Sequence, residues 1–247
     1  MDSHAIAHGE AEAAHPEHSA HLRHHFASAE QQKESATFGM WLFLLTEIMF
    51  FGGMFTAYLV YRNWYYPAFV AGSHTLDIRL GSFNTLLLIT SSFTMAMGVW
   101  CSETRRKSGL VWSLIATIIL GFAFLGVKTI EYKEKFELHH VPGAHFDYMS
   151  FVNPPLDAQG KPKETPLAPD MAAHTELYFS LYFAMTGMNA LHMIIGIGIL
   201  FALLYKSARG QYTTGHNTTI ELFGLYWHFV DIVWIFLFPL LYLISRH

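Results

Sequence analysis

The chain has 247 residues, of which 52% are hydrophobic and only 14% are Asp, Glu, Lys or Arg. Soluble proteins carry roughly 25% charged residues, so this composition indicates a membrane protein. The net charge of −4 gives no support for a nucleic-acid partner, and the single cysteine, Cys101, excludes a disulfide within the chain.

Residues 1–37 form a polar segment without an apolar run, which we expect to be a tail separate from a membrane domain over 38–247. The tail holds seven of the 16 histidines. Histidine-rich tracts can bind metals, but this spacing matches no defined site. Adventitious binding or none is therefore the plainer interpretation, and a physiological metal site is the alternative.

Five segments are long and apolar enough to cross a membrane, whose hydrocarbon core of roughly 30 Å needs about 20 residues of helix. They lie near 38–62, 81–102, 109–131, 175–205 and 218–244. None alternates as a membrane β-strand would. The predicted fold is therefore all-α: a polytopic bundle of five transmembrane helices.

Basic residues in two short loops predict the orientation of the bundle. These residues are Arg105, Arg106, Lys107, Lys206 and Arg209. With five spans, both loops share a side with the N-terminus, so we expect a cytoplasmic N-terminus and a periplasmic C-terminus. The segment 138–173 is then a long, largely irregular external loop between helices 3 and 4.

The first span contains one acid, Glu47, within the stretch "WLFLLTEIMFFGGMF". It lies about 14 Å from the predicted start of its helix. A carboxylate at this depth is unfavourable unless it is protonated or paired. Two interpretations stay open: a neutral acid in a structural hydrogen bond, or a functional carboxyl that exchanges protons or meets a lipid head group.

The fifth span carries Glu221, His228 and Asp231. The first two are seven residues apart and share a helix face, whereas His228 and Asp231 are three apart and adjacent. Such groups should face other helices or a wet crevice rather than lipid tails. A structural His228–Asp231 pair is the plainer hypothesis, and a functional role is the alternative.

Other polar residues within the spans have simple structural interpretations. Lys128 and Glu131 lie close to the outer end of the third span, which favours snorkelling of both side chains to the membrane boundary. Asn84 and Thr85 in the second span are expected to form hydrogen bonds between helices.

Five stretches, in the same order, resemble the cytochrome c oxidase subunit III family. "YWHFVDIVWIFLFPLLYL" resembles its last helix, and "WLFLLTEIMFFGGMFTAYLVYR" resembles the helix whose buried carboxylate reacts with carbodiimides. The intervening helices are matched by "GSFNTLLLITSSFTM", "IEYKEKF" and "TGMNALHMIIG". The resemblance covers about 38–137 and 175–245 and is to the bacterial five-helix form; Asn189 replaces a histidine that the family often has.

This resemblance implies an accessory subunit, in the bacterial inner membrane, of a haem–copper terminal oxidase that reduces oxygen and pumps protons. It implies no catalytic residue, no metal ligand and no redox cofactor in this chain. Haem and copper would belong to the partner subunits, which are subunit I in direct contact, subunit II, and a larger respiratory supercomplex. The chain would support proton uptake and stability during turnover.

The resemblance also implies bound phospholipid, between the helices of 38–102 and the three later helices. The residues predicted to be linked to protons or lipid are Glu47, Glu221, His228 and Asp231. Those predicted to contact lipid are Arg62, Trp64, Trp227 and Trp234.

Three alternatives remain at this stage. Two are relatives: subunit III of a quinol oxidase, because other subunits select the electron donor, and the accessory protein of a nitric oxide reductase. The third, from a different class, is a stand-alone ion or proton transporter built around Glu47, although no internal repeat is detectable.

Overall fold

The structure is a computed structural model, and it describes residues 28–156, 162, 165–210, 212 and 218–244. The predicted 1–37 tail therefore lies mostly outside the described residues. In the described part the helices are α1 (Ala29–Trp64), α2 (Tyr66–His74), α3 (Ile78–Glu103), α4 (Lys107–Glu137), α5 (Met149–Val152), α6 (Pro169–Ala173), α7 (Thr175–Ala208) and α8 (Thr218–Tyr242).

Five helical segments of the described chain are long and apolar enough to cross a membrane. They are Glu30–Trp64, Ile78–Glu103, Lys107–Glu137, Pro169–Ala208 and Thr218–Tyr242. This confirms the all-α fold with five transmembrane helices. Helices are suited to lipid because their backbone groups form hydrogen bonds within the segment. Helix α1 begins at Ala29, nine residues before the predicted start, and the compact units of the chain divide between Trp41 and Leu42.

Two of the helices end in the same kind of turn, which aims the next residues away from the helix axis. Arg105 after α3 and His139 after α4 have positive φ angles of 56° and 53°. The amide of Arg106 then donates to the carbonyl of Cys101 at 2.8 Å, and that of His140 donates to Lys135 at 3.0 Å. These are Schellman motifs, which satisfy carbonyl groups left open at a helix C-terminus.

Helix α8 lies at the centre of the bundle. The indole nitrogen of Trp227 donates to Ser91 of α3, Trp234 packs edge-on against Phe124 of α4, and Asn189 of α7 donates to a carbonyl of α8. Glycine makes the close approach possible: a Cβ added to Gly196 of α7 would lie 2.9 Å from the Trp227 ring. Small residues at such contacts are the usual way for membrane helices to pack.

Helix α1 contacts the rest of the bundle through a narrow stripe. Its buried residues beyond Trp41 are Leu44, Phe51 and Tyr58, which are seven residues apart. The Tyr58 hydroxyl donates to the Leu240 carbonyl at 2.8 Å, and Phe51 packs against Phe229. Helix α3 packs instead against α4 and α8. The expected division into a 38–102 group and three later helices is therefore wrong, because α3 belongs with the later helices.

The segment after α1 and the predicted 138–173 loop contain short helices that cover one end of the bundle. Helix α2 buries Phe69 against Tyr58 and Tyr178, with ring centroids 5.2 and 5.5 Å apart. In the 138–173 segment, the rings of His140 and Phe151 pack against Phe179 of α7. The described part of this segment is therefore held to the membrane helices by aromatic contacts, and it is more ordered than its Pro- and Gly-rich sequence indicates.

Candidate functional site

Glu47 of α1 meets His192 of α7. The Glu47 Oε2 atom lies 3.1 Å from His192 Nε2, and the two side chains are 19% and 13% exposed. His192 Nδ1 lies 2.9 Å from the Met188 carbonyl oxygen. A carbonyl can only accept a hydrogen bond, so Nδ1 carries a hydrogen. A hydrogen bond between Glu47 Oε2 and His192 Nε2 needs one further proton, either on the carboxyl group or on the imidazole.

Aromatic side chains surround this pair. The Tyr226 hydroxyl donates to the His192 backbone carbonyl at 2.7 Å, and the Phe51 ring centroid lies 5.7 Å from that of His192. Helices α1, α7 and α8 thus each contribute one wall. Because these walls are largely apolar, a lone charge would be strongly disfavoured here.

His228 and Asp231 of α8 are linked through α3. Ser92 Oγ lies 2.6 Å from His228 Nδ1 and also interacts with the Asp231 carboxyl group. Asp231 is 2% exposed, and neither of its oxygens has a hydrogen bond of ordinary geometry within the described residues. The predicted direct His228–Asp231 pair is therefore not formed, because Ser92 takes the His228 nitrogen.

Glu221 stands apart from both groups. It lies in the first turn of α8, seven residues or about 10 Å along the axis from His228. Within the described part of the chain it forms no ion pair. The structure therefore brings Glu47 together with His192, and His228 with Ser92, but it leaves Glu221 outside both sites.

Lys128 and Glu131 form a buried ion pair instead of snorkelling, so that prediction is wrong. Lys128 Nζ lies 2.9 Å from Glu131 Oε2, and the side chains are 3% and 1% exposed. Glu131 Oε1 accepts hydrogen bonds from the hydroxyls of Tyr182 and Tyr242. The ammonium group also lies 5.0 Å from the Trp234 ring centroid. Charge pairing and these donors compensate for the burial.

Comparison with known proteins identifies the family of this chain. The family model described as cytochrome c oxidase subunit III matches residues 17–149 and 168–246. The chain belongs to the cytochrome c oxidase subunit III family. It is therefore a multi-pass membrane protein and an accessory subunit of a haem–copper oxidase, and it associates with other oxidase subunits.

Relatives in this family include subunits named for cytochrome c oxidases and subunits named for quinol oxidases. Cytochrome c oxidase subunit 3 of Synechocystis sp. is 32% identical, over 84% of this chain and 75% of that protein. Cytochrome c oxidase subunit 3 of Thermostichus vulcanus is 27% identical, over 88% and 92%. Quinol oxidase subunit 3 of Bacillus subtilis is 28% identical, over 91% and 97%.

The predicted lipid-contacting residues of this subunit III fall into two classes. Arg62 is half-buried with its guanidinium 5.9 Å from the Tyr66 ring centroid, and Trp64 is 64% exposed. Trp227 and Trp234 are fully buried, and their indole nitrogens donate to Ser91 and Thr85. A lipid would have to displace packed side chains to reach these two rings. Lipid contact at Trp227 and Trp234 therefore stays a prediction that no exposed surface supports.

A metal site has no support in the described ranges. Among those residues, no group of three or more His, Cys, Asp or Glu side chains is arranged to hold a metal ion. Thr85 acts between helices as predicted, because it accepts a hydrogen bond from Trp234, whereas the Asn84 amide has no such partner in the described part of the chain.

Proposed function

We propose that the Glu47–His192 pair is a proton-holding site that supports proton uptake by an oxygen-reducing, proton-translocating oxidase. The observation that carries this proposal is the 3.1 Å contact between Glu47 Oε2 and His192 Nε2, with His192 Nδ1 committed to the Met188 carbonyl. The proton can move between carboxyl and imidazole over one hydrogen bond without movement of either ring or helix.

Both side chains are partly exposed, so the other helices of this chain do not enclose the pair completely. No electron passes through this chain in the proposal, and haem and copper reside in subunits I and II. The contact with subunit I is direct, and association with subunit II or a respiratory supercomplex follows from it.

We further propose that the electron donor of the complex is cytochrome c. The match to the Synechocystis protein, named cytochrome c oxidase subunit 3, supports this donor. The Bacillus subtilis relative, named quinol oxidase subunit 3, is aligned over 97% of its length and supports a quinol as the alternative. Oxygen consumption by the purified complex with reduced cytochrome c, compared with a soluble quinol, decides between them.

The proposed setting is the bacterial inner membrane, with a cytoplasmic N-terminus and a periplasmic C-terminus. The basic residues after α3 and near the end of α7 support it under the positive-inside rule. Phospholipid then contacts Arg62 and Trp64 near the external end of α1, and a head group or water meets the half-buried His228. A periplasmic reporter fused after His247 should be active, and an inactive one contradicts this topology.

The test of the proton site compares Glu47→Gln with wild type in the purified oxidase over many turnovers. We expect normal haem spectra and initial oxygen reduction, with slower proton uptake or faster inactivation during turnover. Glu137→Gln is the matched control, because Glu137 is a 67% exposed acid at the end of α4. Unchanged proton uptake and turnover lifetime in Glu47→Gln would show that the pair is only structural.

Copurification separates the remaining alternative class. An oxidase subunit purifies with haem absorption bands from its partner subunits, whereas a stand-alone transporter purifies as a colourless protein. An assay of nitric oxide reduction by the same preparation distinguishes an oxidase subunit from the accessory protein of a nitric oxide reductase.

A further inference from the structure

The ends of α3, α4 and α7 carry an exposed group of cations with no ion-pair partner among the described residues. Its five members are Arg105, Arg106, Lys107, Lys206 and Arg209, all of them exposed. None of the five forms an ion pair within the described residues. A group of four to eight basic residues directly beside transmembrane helices attracts anionic lipid.

Helix contacts place these cations at one end of the bundle. The Tyr132 hydroxyl of α4 bonds to Thr186 of α7, while a Cβ on Gly121 would contact Ile197 at 3.2 Å. Residue numbers fall along α4 as they rise along α7, so the two helices are antiparallel. From the Gly121–Ile197 contact, Arg106 and Arg209 lie about 22 and 18 Å toward the same end.

Aromatic rings hold two of the guanidinium groups at the membrane surface. Arg106 lies over the ring of Trp100, 5.0 Å from its centroid, and Arg209 lies over that of Tyr205 at 4.3 Å. Both rings are exposed, and both end a transmembrane segment. Trp and Tyr at such positions occupy the head-group layer, so the stacked guanidinium groups lie at phosphate depth rather than in bulk water.

Apolar surface continues from these cations along α4 and α7. Trp112 is 70% exposed, Ile119 is 61% exposed, and the adjacent rings of Phe122 and Phe201 are about half exposed with centroids 6.2 Å apart. This surface leads from the basic end toward the middle of the bundle. It offers acyl chains a path directly below the guanidinium groups.

We propose that this end of α3, α4 and α7 is a binding site for anionic phospholipid, with Arg106 and Arg209 contacting the head-group phosphate. Arg105, Lys107 and Lys206 add flanking positive charge. The site is distinct from the proposed lipid contacts of Arg62 and Trp64, which lie at the C-terminal end of α1. The proposal rests on the family membership and on no property of Glu47, so the two can fail separately.

The test measures lipid binding to the purified oxidase complex by native mass spectrometry, with phosphatidylglycerol or phosphatidylcholine added. The wild type should bind phosphatidylglycerol more tightly than phosphatidylcholine. At about five-fold for each surface cation, the Arg106→Gln/Arg209→Gln variant should lose about 25-fold in phosphatidylglycerol affinity. Its phosphatidylcholine affinity should fall much less, because the choline cation offsets the charge of the phosphate. Arg79→Gln is the matched control, because Arg79 is an exposed arginine at the opposite end of α3.

Three results would overturn the proposal. They are equal affinity for the two lipids in the wild type, unchanged phosphatidylglycerol affinity in the double variant, and equally tight binding of glycerol 3-phosphate, which would indicate a site for soluble phosphate. Subunit composition and haem spectra report whether the variant assembles. If it does not, wild-type phosphatidylglycerol binding measured against NaCl concentration provides the test: it should weaken with salt, and salt-independent binding would contradict the proposal.

Discussion

Lys128 Nζ lies 2.9 Å from Glu131 Oε2 where α4, α7 and α8 meet, and neither side chain has more than 3% of its surface exposed. Tyr182 and Tyr242 donate to the carboxylate from the two neighbouring helices. One ion pair on α4 therefore ties three helices together, and both charges depend on each other and on the tyrosine hydroxyls.

Glu131→Gln should strongly destabilise the bundle, because it leaves the Lys128 ammonium buried without its counter-ion. We expect a loss of about 3–5 kcal/mol, measured by denaturant unfolding in detergent. Lys128→Met/Glu131→Leu removes both charges and should recover most of that loss. Lys133→Met is the control, since the exposed Lys133–Glu137 pair at 3.7 Å should contribute less than about 1 kcal/mol. A double variant no more stable than Glu131→Gln would refute this account.

The Glu47–His192 contact predicts different effects for two substitutions of Glu47. Glu47→Gln keeps the volume and can still bond to His192, so the unfolding free energy should change little. Glu47→Ala should lose about 1–3 kcal/mol, because it opens space and leaves Nε2 without its partner. In a double-mutant cycle with His192→Gln, the coupling energy should be about 0.5–3 kcal/mol. Additive effects would mean that the 3.1 Å contact makes no energetic contribution.

Two glycines of α7 provide a matched test of the packing around α8. A Cβ on Gly196 would lie 2.9 Å from the Trp227 ring, whereas one on Gly198 would meet nothing within 4 Å. Gly196→Ala should therefore destabilise the bundle by about 1–3 kcal/mol through overpacking. Gly198→Ala should be neutral or stabilising by up to about 1 kcal/mol, as expected in an exposed helix interior. Thermal unfolding in detergent compares them, and equal effects would contradict the packing described.

The segment after α4 should be sensitive to acid through His140. Burial, and then the positive charge of Lys135, lower the pKa of His140 to about 4, although Asp147 opposes the shift. His140 is therefore neutral in the folded segment, whereas an unfolded histidine takes up a proton near pH 6.5. The unfolded state binds more protons between these values, so stability should fall as the pH drops from about 6.5 to about 4.

Hydrogen exchange of the segment around His140 measures this loss of stability. Protection should decrease across that pH range in the wild type and depend less on pH in His140→Phe, which keeps a ring against Phe179. His145→Gln is the control, because His145 is exposed. The same pH dependence in wild type and His140→Phe would assign the effect to another group.

The number and type of the membrane helices could be predicted from the sequence, because length and apolarity decide spanning and both are local properties of a segment. The interhelical hydrogen bond of Thr85 could also be predicted, because polar side chains within membrane spans tend to bond to neighbouring helices. Lys128 and Glu131 could not be placed, because a position near the end of a span fits snorkelling as well as burial. Only the opposing tyrosines on α7 and α8 distinguish the two.

The sequence by itself therefore determined that five helices cross the membrane and that Glu47 needs a partner within it, because transfer of a charge into lipid is unfavourable wherever the chain goes. The tertiary structure alone decided which group that partner is. His192 lies 145 residues further along the chain, and its meeting with Glu47 depends on the order and rotation of α1 and α7 in the bundle. Helix rotation follows from side-chain packing, such as Phe51 against Phe229 and Tyr58 against the end of α8, and no local sequence pattern specifies it.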